Sequence, residues 1–80
     1  MRPSQYRSLS SMQRRAVAAV RSYIRTSLVL IGEGAEVRGW IDRPEDPRVE
    51  IANAHGFVWA FPVRPELYAG LRLYFRQWED

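Results

Sequence analysis

The chain has no cysteine, no lysine and one histidine, His55. Without cysteine there is no disulfide frame, no thiolate nucleophile and no Cys-based metal site, and nothing marks the chain as secreted, so the default compartment is cytoplasmic. A lone histidine cannot build a metal site unaided, and no cofactor is expected. Acid is missing from the first 31 residues, which carry Arg2, Arg7, Arg14, Arg15, Arg21 and Arg25 without one aspartate or glutamate. From Gly32 onward six arginines face nine carboxylates, so a front of +6 joins a body of −3. Long apolar runs are also lacking: Thr26 to Gly32 is too short to span a bilayer, and no membrane partner is expected. The basic start followed by Ala16 to Val20 mimics a signal peptide, but Arg21 and Arg25 interrupt the apolar core such a peptide needs.

At 80 residues a single domain is expected, and a domain of this size buries only about 60% of the surface its unfolded chain exposes. Homodimerisation is therefore an open option. That every basic residue is arginine fits bidentate gripping of carboxylate or phosphate. A GC-rich coding sequence explains it equally well, so the placement of the charges carries more weight than their type.

Residues 1–9 are polar and read as a flexible arm. Ser10-Ser11-Met12-Gln13 has the form of a capping box, in which the serine side chain accepts from an orphan amide while glutamine reaches back. A helix over residues 10–31 follows. At about 100° per residue, Met12, Ala16, Val20, Tyr23, Ile24, Ser27 and Ile31 share a face, with Val17 and Leu28 on its flank. Arg14, Arg21 and Arg25 fall within about 40° of one another on the adjoining face. Leu28 to Ile31 suit either the last helical turn or a short strand; Gly32 and Gly34 favour a helix closed by a glycine cap.

An antiparallel sheet is expected over residues 35–63. In Ala35 to Ile41, Val37, Gly39 and Ile41 alternate with Glu36, Arg38 and Trp40; in Arg48 to Ala52, Val49 and Ile51 alternate with Arg48 and Glu50. An even register between them sets Arg38 opposite Glu50 and Trp40 opposite Arg48. The loop from Asp42 to Pro47 is acidic and its prolines stop both strands. After the turn Asn53 to Gly56, the run Phe57 to Val63 is apolar on both faces and reads as the best-buried strand, with Phe57, Trp59 and Phe61 inward. Residues 65–78 fit a helical stripe through Leu67, Leu71, Tyr74, Phe75 and Trp78, with Arg72 and Arg76 on the back, although Leu71, Leu73 and Phe75 also alternate as a strand would. Helix is the reading adopted. The expected fold class is α+β in α-β-β-β-α order, with both helices on one face of a three-stranded antiparallel meander.

Enzyme signatures are absent. Gly32-Glu33-Gly34 lacks the third glycine of a phosphate loop and its glutamate would repel phosphate. No serine lies in a nucleophile elbow, and His55 sits in a predicted turn that needs no further role. Asp42, Glu45 and Asp46 lack the alternating pattern of a calcium site and read as a solvated loop. What remains is a basic ridge, Arg7, Arg14, Arg15, Arg21 and Arg25, with Trp40 as a candidate anchor because it alternates to the polar side of its strand. Tyr6 in the arm raises the same question. Such a ridge can grip a protein or nucleoprotein complex with an acidic surface, or follow a nucleic-acid backbone without sequence preference. It also serves simply as the polar face a helix must show, though a merely solvated helix normally mixes signs. Base readout has no helix-turn-helix, ribbon or zinc-finger signature behind it.

One compact domain without cysteine or catalytic residues, a helix beside a short antiparallel sheet, and lopsided charge together resemble the small phage-encoded inhibitors of bacterial defence, the anti-CRISPR proteins. The resemblance is one of size, build and charge over the whole chain, and it carries no residue across. It implies stoichiometric binding to a CRISPR effector complex that blocks its grip on DNA. A basic front cannot imitate DNA, so it implies contact with an acidic patch or guide RNA, or use of the acidic loop. The expected function is a non-enzymatic inhibitor of this type; a nonspecific DNA- or RNA-binding protein, or a structural, oligomeric subunit, are the alternatives.

Overall fold

A computed structural model describes residues 7–78, with the side chains of residues 7–76. Arg2, Tyr6 and the outer part of the expected arm lie outside the described residues, as does the side chain of Trp78. The elements are α1 (Ser11–Ile31), β1 (Glu36–Ile41), β2 (Arg48–Ala52), β3 (Val58–Pro62), a 3-10 turn (Pro65–Leu67) and α2 (Tyr68–Trp78). This is the α-β-β-β-α order of an α+β fold, with the strands in the order β1-β2-β3 and antiparallel throughout.

Helix α1 opens on the capping box. Ser10 Oγ accepts from the Gln13 amide at 3.2 Å and Gln13 Oε1 accepts from the Ser10 amide at 2.9 Å, which satisfies two donors that would otherwise face water. The helix runs through Ile31 because Gly32, at φ 106°, turns the chain while its amide donates to the Leu28 carbonyl at 3.0 Å. A side chain at that φ would be strained, which is why glycine closes the helix. The expected arm is tied down at its described end: Leu9 is buried, and Arg14 donates from Nε to the Leu9 carbonyl and from a terminal nitrogen to the Arg7 carbonyl.

The core lies between the two helices and one face of the sheet. Val20 and Ile24 of α1, Val49 and Ile51 of β2, Val63, and Leu71 and Phe75 of α2 form a single buried cluster. Val17 is buried as well, and Ser27, the one buried polar side chain among the described residues, donates to the Tyr23 carbonyl. Met12, assigned to this face by periodicity, is 81% exposed. It sits in the first turn of the helix. The two helices cross where α2 is thinnest: a Cβ on Gly70 would lie 2.6 Å from the Ala16 carbonyl oxygen and 2.9 Å from Val20 Cγ2.

Two features of the sheet depart from the alternation read in the sequence. A bulge lies between Val37 and Gly39, so that Val37 pairs with Ile51, Gly39 with Glu50, Trp40 with Val49 and Ile41 with Arg48. An inserted residue reverses the parity of everything beyond it. Trp40 therefore turns toward the core, where its ring stacks on Phe75 at 5.4 Å and 8°, and Ile41 turns away. The expected pairs Arg38–Glu50 and Trp40–Arg48 do not form; Arg38 pairs with Glu36 at 3.0 Å, and Arg48 with Asp46. The second departure is β3, which is an edge strand and the least covered of the three. Phe61 packs against the core, but Phe57 is 70%, Val58 52% and Trp59 42% exposed. Central position, rather than apolar content, decides burial here, and β2 holds that position.

Candidate partner interface

Helix geometry makes the ridge. Arg14, Arg21 and Arg25 recur at helical spacing on the flank of the buried stripe, and they, Arg15 and Arg7 are all exposed. Among the described residues, ion pairs involve Arg38 and Arg48 only, both on the sheet. Among these residues, no arginine of either helix has a carboxylate within salt-bridge distance. The described acids sit elsewhere, on Glu33, the strands, the loop after β1 and Glu66. Among the described residues the two α-helices thus carry cations only, while the strands and loops carry both signs.

The members of the ridge are not equivalent. Arg14 uses its guanidinium to hold the carbonyls of Arg7 and Leu9, so it fixes the entry of the chain into α1. Arg21 and Arg25 line a shallow open depression with Ala18 and Ser22. Arg21 also lies near Tyr74: burial pushes the Tyr74 phenol above its ordinary value, and the Arg21 charge pulls the other way.

Helix α2 adds cations that periodicity had placed only on its back. Arg72 and Arg76 line one depression with Gln13, Ala69 and Leu73, next to the first turn of α1, and another with Trp40 and Asp42. Their i,i+4 spacing repeats that of Arg21 and Arg25 and was visible in the sequence. What the sequence could not give was the packing of α2 against α1 that sets Arg72 and Arg76 beside Gln13. Trp40 keeps a place at the rim of this surface, but its ring is stacked against the core on Phe75, with Tyr68 at 6.2 Å. Arg72 lies over the Tyr68 ring at 5.9 Å, a cation–π contact that holds it at the surface.

Part of the acidic loop has structural work. Tyr68 donates its hydroxyl proton to Asp42, and Arg48 donates to Asp46. Hydrogen bonding to Asp42 raises the Tyr68 phenol above its ordinary value of 10.0, with desolvation and the Asp42 charge acting in the same direction. Both tyrosines are raised, so the fold favours their protonated forms. Their contribution to stability is full below pH 10.0, the ordinary tyrosine value, and is lost as pH rises through the elevated folded values. Denaturant melts from neutral to strongly alkaline pH should show this loss, and Tyr68→Phe should flatten part of it; an alkaline limb unchanged in Tyr68→Phe would contradict the Asp42 contact.

His55 is exposed in the turn before β3, where Asn53 Oδ1 accepts from the His55 and Phe57 amides at 3.0 Å each. Within the described residues no helix is long and apolar enough to cross a membrane. The chain matches no protein family, no curated protein and no solved structure.

Proposed function

We propose that the chain is a non-enzymatic interaction protein that grips an anionic partner surface through the outward arginines of its helix layer. The observation that carries this reading is the segregation of charge among the described residues: the arginines of α1 and α2 are exposed and without a carboxylate partner there, and no acid lies on either α-helix. Arg15, Arg21 and Arg25 are the contact residues, Arg72 and Arg76 extend the surface, and Arg14 with Arg7 positions its N-terminal edge. An acidic protein surface or guide RNA would be steered onto such a layer by charge, which sets orientation and encounter rate. Size, build and charge make a CRISPR effector complex the first partner to test, with the docked chain blocking its hold on DNA.

The test reverses charge without touching Arg14, whose loss would loosen the chain before α1. The triple variant Arg15→Glu, Arg21→Glu, Arg25→Glu should melt like the parent protein, since exposed substitutions typically move stability by about 0.5 kcal/mol or less each. It should lose at least about a hundredfold in affinity in a titration against purified effector complex, because each like-charge contact costs up to several kcal/mol. Retained affinity would refute the reading. Arg72 and Arg76 favour one further reading, a nonspecific nucleic-acid binder, because they widen the cationic surface a phosphate backbone could follow. It predicts a mobility shift with arbitrary duplex whose log affinity falls linearly with log salt, by about 0.9 per phosphate contacted. No shift at low salt removes it.

A further inference from the structure

Among the described residues, strand β3 has an open edge whose hydrogen-bonding pattern is complete enough to specify what pairs with it. In an antiparallel ladder, alternate residues turn their amide and carbonyl toward the neighbouring strand. The Asn53 amide donates to the Phe57 carbonyl and the Val63 amide to the Pro47 carbonyl, both at 2.9 Å. Between these, Trp59 pairs with Ile51 and Phe61 with Val49 in unbroken register. Residues 57, 59, 61 and 63 therefore bond toward β2, and Val58, Ala60 and Pro62 face outward. Pro62 has no amide proton, and its carbonyl already accepts the Tyr23 hydroxyl at 2.7 Å. The outer edge is thus closed at its Pro62 end and offers four backbone groups, the amides and carbonyls of Val58 and Ala60.

The opposite edge of the sheet is protected in the usual ways. Strand β1 carries the bulge and the Glu36–Arg38 ion pair, and both discourage pairing with another strand. Strand β3 has no charged residue, and Phe57, Val58 and Trp59 beside its open edge are largely exposed. Apolar, β-prone segments left bare on an edge pair with something.

We infer that this edge pairs with β3 of a second copy, antiparallel about a two-fold axis at Trp59, extending the sheet to six strands. In that register Val58 of each copy lies opposite Ala60 of the other. Each such pair exchanges two hydrogen bonds, so all four open groups of both copies are satisfied. Centring the axis on Ala60 instead would set Val58 against Pro62, which has no proton to give. Centring it on Val58 would set Ala60 against Gly56, whose amide already donates to Asn53. The Trp59 register also places the two Trp59 side chains opposite each other at a non-hydrogen-bonded position, where cross-strand side chains approach most closely. Phe57 of each copy then faces Phe61 of the other. No like charges meet across this strand, whereas contact through the arginine layer would oppose cation to cation. The inference is independent of the arginine ridge.

Sedimentation equilibrium over micromolar to millimolar chain concentrations should show a monomer–dimer equilibrium. Ala60→Pro removes an outward amide without touching the β2 ladder, and should weaken the dimer at least tenfold. A chemical test needs no assumption about the proline variant's folding. The protein has no cysteine, so Trp59→Cys should give a disulfide-linked dimer on mild oxidation, because non-hydrogen-bonded partners lie about 4.5 Å apart at Cα, within disulfide reach. Ala60→Cys, facing Val58 of the second copy, should crosslink far less. A chain that stays monomeric at all concentrations, as it would if the edge served only a strand from another protein, overturns the inference. So does equal crosslinking at the two positions.

Discussion

Ile51→Ala should cost about 2–5 kcal/mol of stability, the range for large-to-small changes in packed cores. For a chain of this length total stability is of order 4–12 kcal/mol at about 0.05–0.15 kcal/mol per residue, so a large part of the fold's stability rests on this side chain. Ile51 is fully buried in β2, the central strand, with Val37 and Trp59 on its two sides and the helix layer above it. Removing its outer carbons leaves a cavity between three elements that cannot close without moving one of them. Urea unfolding reads the change as a lower midpoint at unchanged slope. The control is Phe57→Ala, a larger truncation in a more apolar stretch. Phe57 is 70% exposed, so its loss in the monomer should lie near about 0.5 kcal/mol, the scale of surface changes. If the two substitutions cost the same, β2 is not the centre of the sheet.

Gly70→Ala should destabilise, against the sign expected from helix propensity. In an open helix interior the change from glycine to alanine gains about 1 kcal/mol. At this position the new Cβ would lie 2.6 Å from the Ala16 carbonyl oxygen and 2.9 Å from Val20 Cγ2. One of those contacts is to backbone, so relief requires the helices to separate. Overpacking of this kind costs about 1–3 kcal/mol, which outweighs the propensity gain over most of its range. Ala69→Gly, at the exposed neighbouring position, should cost about 1 kcal/mol by propensity alone. Melting both variants separates the effects: a stabilised Gly70→Ala would mean that the helices do not cross there. Spread helices would also shift Arg72 and Arg76 relative to the α1 ridge, so the same substitution should weaken partner binding if the two sets act together.

The helices were legible because their signals are local. Ser10 and Gln13 sit three residues apart and close on each other, Gly32 ends the run, and Val17, Val20, Ile24 and Ser27 repeat at the helical period. The helical reading of residues 65–78 held from Tyr68 onward, after a 3-10 first turn, over the competing alternation, because Leu71 and Phe75, four apart, enter one core. The strands were found, and Val37, Val49, Ile51 and Phe61 face the core as read, but the faces of β1 beyond its bulge were not. Gly39 was the available sign of a bulge, since glycine inside a strand often marks one; read instead as a regular position, it left Trp40 pointing outward. For β3 the sequence was misleading: apolar residues on both faces suggested a buried strand, while the structure places it at the edge.

The arginine ridge divides in the same way. Its existence and its freedom from acid are properties of the sequence, fixed by spacing along one helix. That Arg14 holds the preceding backbone, and that Arg72 and Arg76 lie beside Gln13 at the start of α1, follows only from the contacts of α1 with its own leading segment and with α2.

By itself the sequence determined the element order, the ends of α1, the acid-free basic front and, Met12 apart, the apolar face of α1. Those features depend on residues within a turn or two of each other, where caps and period act. Tertiary structure alone decided the inward turn of Trp40, the crossing at Gly70, the edge position of β3 and the register its open groups can accept. Each of these depends on which surfaces meet across the fold, and no local pattern encodes that.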